Sequence, residues 1–179
     1  MSQLPDPLDT LTPQAKVIFD KIVARRGRLR GPYAPLMHHP ALAERIADLG
    51  EYLRFDSTLP GDIREMAILI TARHVSQPYE WFAHAPIGRQ AGLPEDVIER
   101  IRARGDLTAL PPRYAKAARL VQHALAFESV PADLQQTVQA ELSLAGVLEL
   151  VALTGHYRLI ASVLFAFDVP LPDGAPAPF

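Results

Sequence analysis

Residues 64–84, REMAILITARHVSQPYEWFAH, set Glu65, Gln77, Glu80 and His84 among mostly apolar neighbours. Positions four apart on a helix share a face, so Glu80 and His84 can exchange a proton near neutral pH, as general acid–base catalysis requires. A second reading is open. With Gln77 as N-cap and Pro78 as first helical residue, Glu80 is the third. A glutamate there reaches back to the cap and meets the positive end of the helix dipole. Glu65 adds weight to the first reading. It belongs to a segment whose apolar positions Ile63, Met66, Ala67, Ile70 and Ala72 nearly surround a helix, and an unpaired carboxylate there is costly. The short connection at Ser76–Gln77 lets the next helix fold back and bring His84 to Glu65. Burial would raise the pKa of Glu65, which suits a proton donor. Alternatively, the helix exposes a narrow stripe of Arg64, Glu65 and Arg73.

The other histidines carry less. His38 and His39 are adjacent and so diverge on a regular element. His123 falls near the polar edge of an amphipathic helix, and His74 and His156 could line a cavity. No HxH or HExxH spacing supports a metal site, and neither a phosphate-binding glycine loop nor a serine nucleophile elbow occurs. The sequence has no cysteine, which removes disulfides, thiolate metal sites and thiol redox cycles.

The elements that must position these groups are helical. Thr12-Pro13 starts a first helix that Gly27 stops. A loop, GPYAPLMHHP, precedes a helix over 41–55. Helices follow at about 60–76, from Pro78 to about Ala91, over EDVIERIRARG, over 111–127 and over PADLQQTVQAEL, then a long apolar one at 143–167. No segment alternates at period two. The expected fold is all-α, a single-domain bundle of about eight helices over 1–179, with 1–30 as an N-terminal helical extension and 170–179 as an extended or mobile tail. EMAILITARHV and ELVALTGHYRL echo one another in a glutamate, an apolar run and a later histidine. This fits two core helices converging in composition slightly better than a duplicated hairpin.

The 179 residues suit one domain. Net charge is −2, and the densest basic cluster, RRGRLR at 25–30, lies at a helix end where cations are favourable. Nucleic acid is therefore not an expected partner. Glu149, His156 and Arg158 interrupt the most apolar segment, so a buried core helix is expected there instead of a membrane span. The N-terminus lacks the pattern of a signal peptide, and a cytoplasmic protein is expected.

The spacing of Glu65, Gln77, Glu80 and His84 resembles that of the carboxymuconolactone decarboxylase and alkylhydroperoxidase-D-like family, whose peroxidase branch carries Glu…CxxC…His. Glu65 and His84 match the family's glutamate and histidine, while Gln77 and Glu80 stand at the two cysteine positions. GPYAPLMHHPALAERI and AHAPIGRQAGLPEDVIERI resemble the flanking segments. The likeness covers roughly 31–105 well and 143–170 loosely. Without thiols, peroxide reduction through a disulfide is excluded, which leaves the cysteine-less decarboxylase branch. The resemblance implies an alkylhydroperoxidase-D-like fold, a lyase without metal or organic cofactor acting on a small carboxylated or lactone substrate in aromatic-compound catabolism, and a homo-oligomer, trimeric or hexameric. A hydratase or isomerase on the same scaffold and a non-catalytic oligomeric binding protein are the alternatives. On this reading His84, Glu80 and Glu65 are catalytic, and Gln77, Arg73, Arg89 and Trp81 bind substrate. Arg73 and Arg89 are the candidate carboxylate-holding cations, and could equally be surface residues.

Overall fold

The computed structural model describes residues 4–27, 31–172 and 175–179. Among these it contains eight α-helices and no strand: α1 (Pro13–Arg26), α2 (Tyr33–Leu36), α3 (Pro40–Glu51), α4 (Gly61–His74), α5 (Pro78–Gln90), α6 (Glu95–Arg102), α7 (Pro112–Ala126) and α8 (Ala132–Ala166). The all-α class and the helix number are as the sequence indicates, but the inventory differs in one place. Tyr33–Leu36, expected as loop, forms one helical turn with Tyr33, Pro35 and Leu36 buried. The segments around 132–142 and 143–167, expected as separate helices, are two helices that meet at a kink without an intervening loop. Ser143 leaves helical geometry (φ 67°, ψ 170°) and its Oγ accepts the Gly146 N–H at 3.3 Å, and α8 names both together.

α4 packs against α5, α6, α7 and α8. Ile63, Met66, Ala67, Ile68 and Leu69 have no solvent exposure, which explains why apolar residues surround the segment: a central helix has no wet face. A second apolar cluster joins α1 to α2 and α3 through Ala15, Ile22, Tyr33, Leu36, Met37, Ala43 and Ala47. The N-terminal segment is therefore packed on the bundle. Thr12 caps α1 by accepting from the Ala15 N–H, and Gly27 ends it at φ 74°. Of the basic cluster, Arg25 pairs with Glu51 and Asp56, while 28–30 lie outside the described residues.

By length and composition α8 could cross a membrane, with a mean hydropathy of 1.4 in its most apolar window, yet 56% of that window is buried in the fold. The C-terminal segment, expected as a mobile tail, has no regular secondary structure at 169–172 and 175–179, and 173–174 lie outside the described residues. It is not free, however. The Phe179 ring meets Trp81 edge-on at 5.6 Å, and the Arg73 guanidinium stacks over Phe179 at 4.4 Å.

Candidate functional site

α4 and α5 are joined by a tight connection in which Ser76 takes a left-handed conformation (φ 56°), so α5 folds straight back along α4. Gln77 caps α5, its Oε1 accepting the Tyr79 N–H at 2.9 Å, and Pro78 fills the first position, where no N–H is needed. The two helices approach closely because Gly88 faces α4: a Cβ there would lie 3.5 Å from the Glu65 Cβ and 3.4 Å from Leu93 Cδ2. A methyl would just fit; anything larger would push the helices apart.

One turn before Gly88, His84 Nδ1 lies 2.7 Å from Glu65 Oε2. Both groups are buried, Glu65 at 1% exposure and His84 at 4%, so the exposed-stripe reading of α4 does not hold for Glu65. Its other oxygen, Oε1, accepts from Arg64 Nε at 3.2 Å. The upward pKa shift expected for Glu65 is reversed. Burial does push the carboxyl up, but the hydrogen bond and charge of His84, with Arg64, outweigh it and leave Glu65 below the ordinary carboxylate range. Glu65 is thus an ionised anchor. An ionised carboxylate only accepts, so Nδ1 carries a hydrogen and Nε2 is the ring nitrogen that faces outward.

Nε2 meets Tyr157 Oη at 3.1 Å and Glu80 Oε2 at 3.5 Å. The hydroxyl is the nearer partner, donating to neutral His84 and accepting from protonated His84, so one contact serves both charge states. Burial pushes the Tyr157 pKa well above its usual 10, with Glu80 and Glu65 adding to the shift and Arg54 opposing it. Tyr157 is therefore a protonated donor at neutral pH. As for Glu80, the capping reading requires the Gln77 N–H, but that group already donates to the Ala72 carbonyl at 2.8 Å. The Glu80 side chain instead lies in the site, 5% exposed.

Glu80, His84 and Tyr157 share the wall of a cavity of about 300 Å3 with Arg54, Tyr79 and Phe82. Gly31 (φ 61°) lets the Tyr79 ring approach: a Cβ at Gly31 would lie 2.6 Å from Tyr79 Cε1. Arg54, on the π-helical turn Tyr52–Asp56 that extends α3, is the guanidinium in this wall. His156 also lines this cavity, whereas His74 lines another.

The expected substrate-binding residues fare differently: none of Gln77, Arg73, Arg89 and Trp81 lines the cavity. Gln77 spends its side chain on the cap. Trp81 is 4% exposed and belongs to the main apolar core. Arg89 lies five positions after His84, roughly 140° round the helix, and is held on the surface by Glu95 through two bonds of 2.6 Å. Arg73, eight positions along α4 from Glu65, is on the order of 12 Å further down the axis and donates to the Arg102 carbonyl at 2.7 Å. Tyr157 and Arg54 were missed by sequence reasoning. A tyrosine in the most apolar segment was the available signal for the first, since a buried hydroxyl needs a partner. Nothing in the local sequence separates Arg54 from a surface arginine.

No protein-family model matches the sequence, and neither does any curated protein.

Proposed function

We propose that the protein is a cofactor-independent lyase, carboxymuconolactone decarboxylase-like in chemistry and alkylhydroperoxidase-D-like in fold, acting by general acid–base catalysis on a small carboxylated lactone. The observation that carries this reading is the buried chain Glu65–His84–Tyr157 ending at a cavity whose wall also holds Arg54 and Glu80. Decarboxylation breaks the carbon–carboxylate bond, passes its electron pair into the conjugated lactone and releases CO2. The resulting enolate then takes a proton at carbon. Glu65 holds His84 by Nδ1 and so aims Nε2, which delivers that proton, at the cavity. Tyr157 holds the transferring position, and Glu80 is the second titrating group at it. Arg54 replaces Arg73 and Arg89 as the cation that orients the substrate carboxylate.

The assay is incubation with γ-carboxymuconolactone in D2O, following CO2 release and ultraviolet absorbance. Turnover with one deuterium incorporated at carbon, lost in His84→Ala, is expected. Binding without turnover in the wild type would replace the lyase by a non-catalytic binding protein.

Two further parts belong to the same reading. The protein works in the cytoplasm, and it assembles as a homo-trimer or hexamer. Assembly is supported by the outer face of α8, where Leu144, Leu148, Val151 and Leu159 are 41–63% exposed at helical spacing. Light scattering at micromolar concentration tests it, and a monomer would remove it.

A further inference from the structure

We propose that the cavity where α4, α6 and α7 end is a second binding site, for a small organic anion with an apolar body. This cavity, of about 280 Å3, is separate from that of His84. It falls near the lower end of the ~300–1,000 Å3 typical of small-molecule sites, so its occupant is compact. Ile70, Ile101, Leu107 and Leu125, each at most 8% exposed, form apolar walls. Arg73, Arg104 and His74 supply the polar lining.

These arginines have a structural duty. Arg73 Nε donates to the Arg102 carbonyl at 2.7 Å, Arg104 to the Arg73 carbonyl at 3.2 Å and to Ser76 Oγ at 2.6 Å, and neighbouring Arg158 to the Leu125 carbonyl at 3.0 Å. Each satisfies the exposed end of one helix, or the turn after it. Arg73 also stacks on the Phe179 ring at 4.4 Å and Arg158 on that of Phe127 at 4.6 Å, but neither these faces nor the structural bonds neutralise the charge. A helix end carries about −0.5 of a unit charge, so three guanidiniums overshoot three ends. Each also has five N–H donors, of which the structural bonds use only part. Among the described residues none of the three pairs with a carboxylate, whereas Arg25, Arg64, Arg89, Arg102 and Arg113 all do. The adjacent acid, Asp106, spends its carboxylate on Thr108.

The uncompensated positive field is also felt by its members. Burial, then Arg104 and Arg102, lower the pKa of Arg73, and burial, then Arg158 and Arg104, lower that of His74. An anion relieves this repulsion, a guanidinium fork matches a carboxylate or phosphate oxygen pair, and the leucine and isoleucine walls favour an apolar body over a bare ion.

The test is titration of the 15N-labelled full chain with benzoate, benzamide and inorganic phosphate, reading the amides of Gly105, Leu107 and Gln122. Benzoate is expected to shift them saturably, phosphate more weakly, and benzamide, of the same shape without charge, not at all. Arg104→Gln and Arg73→Gln should weaken benzoate at least about tenfold, as for loss of a charged hydrogen bond. Both residues also cap helices, so Gln122→Glu supplies a variant outside those bonds. It places a carboxylate on an exposed lining residue and should weaken benzoate about threefold, the scale of an exposed charge pair. Arg54→Gln, in the other cavity, should leave these shifts intact. The proposal is overturned if benzamide or phosphate binds as well as benzoate, if Gln122→Glu binds unchanged, or if the shifts appear only around His84.

Discussion

Glu65 on α4 and Glu149 on α8 are both buried glutamates in core helices, at 1% and 6% exposure, and both have their carboxyl pKa lowered against the pull of burial. Their partners differ. Glu149 accepts from Tyr52 Oη at 2.6 Å, the Thr58 N–H at 2.9 Å and Thr58 Oγ1 at 2.7 Å, donors that do not titrate near neutral pH. Glu65 meets an arginine and a histidine, and the histidine passes the contact on to a tyrosine at a cavity wall. The first arrangement can only hold α8 to the segment after α3, because no proton in it can leave. The second keeps its contacts with either charge on the imidazole, since the tyrosine hydroxyl can donate or accept. A buried carboxylate is thus a poor marker of chemistry by itself; the group on its far side decides.

The comparison is tested hardest by matched substitutions at its two centres. Glu65→Gln and His84→Ala should each cost about 10²–10⁴-fold in turnover of a carboxylated lactone, the usual range of general acid–base catalysis. Glu149→Gln should leave turnover within a small factor of wild type while lowering stability by about 1–3 kcal/mol, the effect of mispaired buried donors, read by urea unfolding. Equal losses of turnover at Glu65 and Glu149 would erase the distinction.

A second pair contrasts hydroxyls. Tyr157→Phe should reduce turnover about tenfold, the equivalent of one hydrogen bond of ~1.4 kcal/mol, and should alter the pH–rate profile. Tyr52→Phe should change only the melting temperature, by less than Glu149→Gln does. The smallest effect is in acid. Glu65 and Glu149 are lowered from 4.5, so each stabilises the fold above that pH, and the contribution is lost as pH falls through it toward the folded value. Glu149→Gln should therefore flatten the pH dependence of stability below about pH 4.5, its cost being greatest near neutrality, where the carboxylate contributes in full.

The sequence made the Glu65–His84 pair legible because both partners lie on consecutive helices and the apolar surround of Glu65 demanded an answer. It also recorded the likeness between the stretches around Glu65 and Glu149, whose histidines stand at different distances (65 to 74 against 149 to 156). The structure gives those histidines separate cavities. The sign of the Glu65 shift is not legible from burial alone, because the cost of burying a charge falls on an unpaired one, and His84 first, then Arg64, pairs with it. Arg73 and Arg89, the candidate carboxylate-holding cations that could equally be surface residues, lie near Glu80 and His84 along the chain. Helical rise and rotation carry both away, and the guanidinium that does reach the cavity, Arg54, comes from the π-helical turn after α3. Such a turn has no sequence signature comparable to a cap or a heptad.

The separations in that chain of contacts have a kinetic consequence. Glu65 and His84 are 19 residues apart, within one hairpin, whereas His84 and Tyr157 are 73 apart. Closing the shorter loop costs less entropy, so the carboxylate–imidazole pair can assemble early, before α8 docks. In the native protein the same asymmetry makes the tyrosine the separable member. A transient excursion of α8 would uncouple it while leaving the hairpin intact, and amide exchange around Tyr157 should then outpace exchange around Glu65.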